Sequence, residues 1–131
     1  EQSVALIAKI PEVRERMVAE QRRMAKDHRL VMAGRDIGTV VLPWADLKVF
    51  LTASVGERAR RRHAELEQRG ASIPFETVLA ELEQRDHNDI TRAVSPLKPA
   101  ADAVTIDTDG LTLEQVVDRI LALVESRRCD P

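Results

Sequence analysis

Apolar residues follow two rhythms along the chain. Val13, Met17 and Met24 recur at helical spacing behind Pro11, with Glu12 and Glu15 in the first turn; this predicts a helix over roughly 12–27, preceded by a short helix over 2–10. Three short apolar runs read instead as buried strands: Leu30–Ala33, ended by Gly34, then Leu47–Leu51 and Ala103–Thr108. Ser54 to Glu57 has capping-box spacing and predicts a helix running to about Arg69, where Gly70 stops it. Pro74 opens another helix with Phe75, Val78, Leu79 and Leu82 on one side, which ends before Ser95-Pro96 because the residue before proline avoids helical angles. A second capping box, Thr112 to Gln115, starts the last helix, whose buried face is predicted to be Val116, Val117, Ile120, Leu121 and Val124. The stretch 94–102 is the most loop-like.

Short apolar strands separated by helices imply an α/β fold with a parallel sheet covered on both faces. Three strands are few for a doubly wound sheet and fit the second half of a larger one. At 131 residues the chain is one domain's worth, without repeats or a low-complexity linker. Its 20 Lys and Arg against 22 Asp and Glu give a net charge of −2, and aromatic residues make up only 2%, which disfavours a nucleic-acid binder. No apolar run is long enough to span a membrane, and a single cysteine, Cys129, rules out an internal disulfide and fits a reducing cytoplasm. The chain starts without Met, as a processed or truncated chain would.

Candidate chemistry lies in three arginine groups. "GRDIGTVVLP", Gly34 to Pro43, sets Arg35-Asp36 at the end of a strand-like run, where unpaired charge is costly. Arg58, Arg61 and Arg62 recur at spacings of three and four on one helix side, as do Arg85, Asp89 and Arg92 on another. An arginine fork suits phosphate oxygens, and a carboxylate suits a sugar hydroxyl or base amine. The competing reading is structural: Arg61–Glu65 and Arg62–Glu65 pairs on a solvated face, and a salt-bridge ladder through Arg85, Asp89 and Arg92. His28, His63 and His87 are scattered without metal-ligand spacing, so no metal site is expected within the chain.

The order of the pieces narrows the choice. "GRDIGTVVLPWADLKVFLTASVGERARRRHAEL", "RDHNDITRAVSPLKPAADAVTIDT" and "LTLEQVVDRIL" together resemble the bacterial cytidylate kinases, from about Ile10 to Val124. The resemblance implies a nucleoside monophosphate kinase of the phosphate-loop type, a parallel sheet with flanking helices, present here as a partial fold in which 57–93 would form a helical lid. It implies transfer of the ATP γ-phosphoryl to CMP or dCMP with Mg²⁺, in a cytoplasmic enzyme, monomeric at full length. It implies that Arg35 and Arg92 contact the acceptor phosphate, Asp36 and Arg14 the cytosine, Arg85 and Asp89 the sugar side, and that Arg58, Arg61 and Arg62 face the transferring phosphoryl.

Two departures qualify it. No G-x-x-x-x-G-K-[ST] occurs in the chain, so the ATP cradle has no residues here and the chain by itself is expected to be inactive. The family's base-contacting Ser, nine residues before the Arg14 position, is Ala5, with Ser3 two residues earlier. Asn88 and Thr91 lie off the Arg85–Asp89–Arg92 face. The alternative reading is a non-catalytic, kinase-derived interaction or regulatory chain.

Overall fold

The structure is a computed structural model that describes residues 10–26, 29–91 and 96–129, with side chains described up to 127. The proposed helix over 2–10 therefore lies outside the described residues, apart from Ile10 at its end.

Helix α1, Pro11–Ala25, begins with proline where a missing N–H costs nothing, and Glu12 sits in its first turn. Its expected apolar stripe is not covered: Met17 and Met24 are exposed, and α1 has no buried residue. It meets the rest of the molecule through long polar side chains instead. The run Leu30–Ala33 is not a strand. Val31 is 98% exposed, and no strand among the described residues lies beside it. An apolar run becomes a strand only when a neighbour accepts and donates its ladder hydrogen bonds. Nor does the Gly34–Pro43 stretch end a strand. Ile37–Val41 winds into a single π-helical turn, with the Val40 and Val41 amides both donating to the Asp36 carbonyl at 2.9 and 3.2 Å.

Among the described residues two strands form where three were expected: β1, Val49–Thr52, and β2, Val104–Asp107. They pair in parallel, Val49 opposite Val104 through Thr52 opposite Asp107. The ladder continues past both ends, with Val104 N–H donating to the Lys48 carbonyl at 2.9 Å and Thr108 N–H to the Thr52 carbonyl at 2.8 Å. Parallel strands need a long crossover, and here it is a helical hairpin of α2, Val55–Gln68, and α3, Phe75–Thr91. Gly70, at φ +79°, supplies the left-handed residue that ends α2. The hairpin packs about Ala59 and Val78, which are fully buried, and the ring of Phe75 meets His63 edge-on at 5.9 Å. With Val41, Leu42 and Ile106 these two residues make up the described apolar core.

Helix α4, Leu113–Cys129, carries the second capping box complete: Gln115 N–H donates to Thr112 Oγ1 at 3.3 Å, and Gln115 Oε1 accepts from Thr112 N–H at 2.9 Å. Its predicted buried face is open, however. Val117, Leu121 and Val124 are exposed because no described element closes over them. The architecture is thus mixed α/β, a small parallel sheet with flanking helices, compatible with part of a kinase fold. No described helix is long and apolar enough to cross a membrane.

The hairpin interface yields a stability prediction. Ala59 has no exposed surface, so Ala59→Leu should overpack it and cost about 1–3 kcal/mol. Urea unfolding should show a lower midpoint at unchanged slope; a variant as stable as the parent would mean that the interface has room for the larger side chain.

Candidate active site

Three arginines meet three carboxylates, each pair joining segments far apart in sequence. One of them, Arg58, stands just past the carboxyl end of β1, the end at which open α/β sheets place their ligands. From the first turn of α1, Arg14 reaches Asp36, forming an ion pair with side chains 22% and 12% exposed. Arg35 Nε donates to Asp89 Oδ2 on α3 at 2.6 Å, across 54 residues. Arg58, in the first turn of α2, grips Asp86 through both terminal nitrogens, one of them at 2.8 Å, while its Nε donates to the Ala53 carbonyl just past β1 at 3.1 Å.

Spacing explains why α3 can serve both arginines. Asp86 and Asp89 are three residues apart and share a helix face, so one carboxylate takes Arg58 and the next Arg35. The hydrogen bond from Arg58 to Asp86 outweighs burial, which acts in the opposite direction, and raises the arginine's pKa above its ordinary value. Asp86 escaped the sequence reading. The signal was present, since it stands one helical turn before Asp89 in "RDHND", but a carboxylate beside candidate phosphate-binding arginines reads as solvated charge.

The other named residues lie elsewhere. Arg61 Nε donates to Glu57 Oε1 at 2.6 Å, and its terminal nitrogens reach Thr108 Oγ1 at 3.1 Å and the Thr108 carbonyl at 2.6 Å. It pairs within the first turn of α2 and props the end of β2, rather than forming the expected Arg61–Glu65 pair. Arg62 does meet Glu65, at 2.8 Å. Arg85 is exposed and does not pair with Asp89, which takes Arg35 instead, so the Arg85 rung of the expected ladder is not formed. Arg92, Ser3 and Ala5 lie outside the described residues.

The start of α2 is built from two distant parts of the chain. Ser54 Oγ accepts from Glu57 N–H at 3.2 Å, as the capping spacing predicts. Glu57 does not reciprocate. Its buried carboxylate turns to Arg61, and Arg60 approaches the second oxygen as an ion pair without hydrogen-bond geometry. The Ser54 N–H is taken instead by Asp109 Oδ1, 55 residues away, at 2.8 Å. Below the strands, Lys48 Nζ bridges to Asp102 at 2.7 Å and ties the entries of β1 and β2.

The model of the cytidylate kinase family matches residues 1–126 of this chain. Cytidylate kinase of Desulfitobacterium hafniense strain Y51 is 56% identical over 125 residues, which are 95% of this chain and 54% of that protein. Cytidylate kinase of Geobacillus sp. strain WCH70 is 55% identical over 95% of this chain and 56% of its own length. The bifunctional pantoate ligase/cytidylate kinase of a Synechococcus species is 51% identical over 92% of this chain and 22% of its own length. Together these matches show that the chain belongs to the cytidylate kinase family. It spans about half the length of the curated single-function relatives it matches.

One prediction concerns the shared cap. Hydrogen bonds from Ser54, chiefly its backbone N–H, hold the Asp109 carboxyl below its ordinary pKa. A depressed folded-state pKa contributes stability that is complete above the unfolded value of about 3.9 and is lost as pH falls through the lower folded value. Asp109→Asn should therefore flatten the stability profile only below about pH 4. Thermal unfolding from pH 7 to pH 2.5 checks this; parent and variant profiles that stay parallel throughout would refute the coupling.

Proposed function

We propose that this chain is the acceptor-nucleotide and lid portion of an ATP-dependent cytidylate kinase, which moves the γ-phosphoryl of ATP onto CMP or dCMP and yields ADP with CDP or dCDP. The observation that carries the proposal is the Arg35–Asp89 contact, which joins "GRD" to "RDHND" across 54 residues. Family membership makes the parent protein a phosphotransferase, and this contact supports reading the two motifs as one acceptor site.

The chemistry asks little of side chains as bases. A phosphate monoester has a second pKa near 6, so the acceptor oxygen is already largely ionised at neutral pH. The difficulty is bringing two anions together, and arginines in a closed site offset that repulsion and stabilise charge spreading over the transferred group. In the structure Arg14, Arg35 and Arg58 hold carboxylates. An incoming phosphate competes for the same forks, taking Arg35 and releasing Asp89 toward the ribose hydroxyls. The α2–α3 hairpin serves as the lid, with Arg58 at its base. Among the described residues no group of three or more His, Cys, Asp or Glu is placed to hold a metal ion. Mg²⁺ would arrive with the ATP phosphates, and no step here is assigned to it.

Arg35→Ala in the full-length enzyme should lower turnover by about 10²–10³, the scale of losing one electrostatic donor to a transferring group. CDP formation by steady-state kinetics tests this, and a loss of only a few-fold would leave Arg35 as a structural salt-bridge partner. The 131-residue chain by itself, which contains no phosphate loop, should give no CDP above the protein-free blank in the same assay.

Asp89→Ala separates two roles for that carboxylate. If Asp89 accepts from the sugar, kcat/KM for CMP should fall relative to dCMP, by an amount corresponding to about 1–3 kcal/mol. An equal loss for both substrates would confine Asp89 to orienting Arg35.

A further inference from the structure

The turn that carries Arg35 and Asp36 is an unusual piece of backbone. A single π-helical turn is rare, and a five-residue helix has few hydrogen bonds to offset the ordering of its backbone. Leu42 N–H closes it on the Ile37 carbonyl at 2.7 Å, and Val41, at its end, is buried. The Val40 and Val41 carbonyls are among its last, which no donor within the turn can reach. Arg22 of α1 reaches both: its Nε donates to the Val41 carbonyl at 2.9 Å, and a terminal nitrogen to the Val40 carbonyl at 2.8 Å. The guanidinium also lies over the Trp44 ring, 5.2 Å from its centroid, so the fork is fixed in orientation as well as charge.

Arg14 and Arg22 stand eight residues apart on α1, a little over two turns. One holds the Asp36 side chain at the start of the turn, and the other holds the carbonyls at its finish. Helix α1 thus splints the segment at both ends, through cations rather than apolar packing. We infer that Arg22 is a positioning residue for the acceptor nucleotide, acting through the backbone of 36–41 to fix where Arg35 and Asp36 present their side chains. This rests on the acceptor-binding role proposed for those two residues. Arg22 itself would touch no substrate. A neutral side chain cannot supply a charged fork to two carbonyls, and lysine supplies the charge without the planar geometry.

The test compares Arg22→Gln and Arg22→Lys with the parent in the full-length protein. It reads KM for CMP, KM for ATP, the melting temperature, and amide exchange at Val40, Val41 and Leu42. Arg22→Gln should raise the KM for CMP about tenfold, the scale of one lost charge-assisted hydrogen bond, leave the KM for ATP unchanged, and speed exchange at the three amides. Arg22→Lys should recover most of the affinity. A lowered melting temperature with both KM values unmoved would overturn the inference and make Arg22 a structural staple. Unchanged exchange in Arg22→Gln would overturn it equally. A parent that neither binds nor phosphorylates CMP would instead refute the proposed function, and exchange at the three amides would then decide by itself whether Arg22 holds the turn.

Discussion

Two parallel strands cannot be joined by a tight turn, so the chain between Thr52 and Val104 must leave the sheet and come back. That constraint arranges the candidate site. It sends the α2–α3 hairpin out from the carboxyl end of β1 and brings α3 back past the same end. The Asp86–Asp89 face of α3 therefore stands opposite Arg58 and Arg35.

Cations held by carboxylates recur at several places where distant segments meet. Arg14 with Asp36, Arg35 with Asp89, Arg58 with Asp86 and Lys48 with Asp102 each join parts of the chain more than 20 residues apart. Such partly exposed pairs add little stability one by one. Their effect is to fix geometry at positions where the apolar core is thin. They also leave each of these cations charge-compensated.

Local features were legible in the sequence. The Thr112 capping box, the Ser54 half of the other, the stop at Gly70 and the start after Pro74 depend on neighbours within a few residues, and these form as their spacing dictates. The apolar side of α3 was legible too, since Val78 is buried. Leu30–Ala33 was misread because a strand is a property of two segments, and composition reports only one. The stripes of α1 and α4 failed for the same reason: periodicity says that a face could be covered, not that an element here covers it. Within the site, Arg35 and Asp89 could be nominated from their motifs. Their direct contact could not, nor could the choice of Asp86 for Arg58, 28 residues away. Arg22 lay in a run of charges whose pattern looks the same whether its partner is solvent or a carbonyl.

The cap that Ser54 shares with Asp109 carries a consequence for the order in which the molecule forms. The first turn of α2 can fold from its own residues, but its entry amide finds its acceptor only when a residue 55 positions later arrives. Closing so long a loop costs entropy that a single hydrogen bond does not offset, so this bond should form after β1 and β2 have paired. Asp109→Ala would then speed unfolding while leaving the refolding rate nearly untouched, and slowed refolding would place the contact in the nucleus instead. On this ordering a nascent hairpin remains incompletely anchored until β2 is made, and the completed strand pair is what commits it to its final orientation.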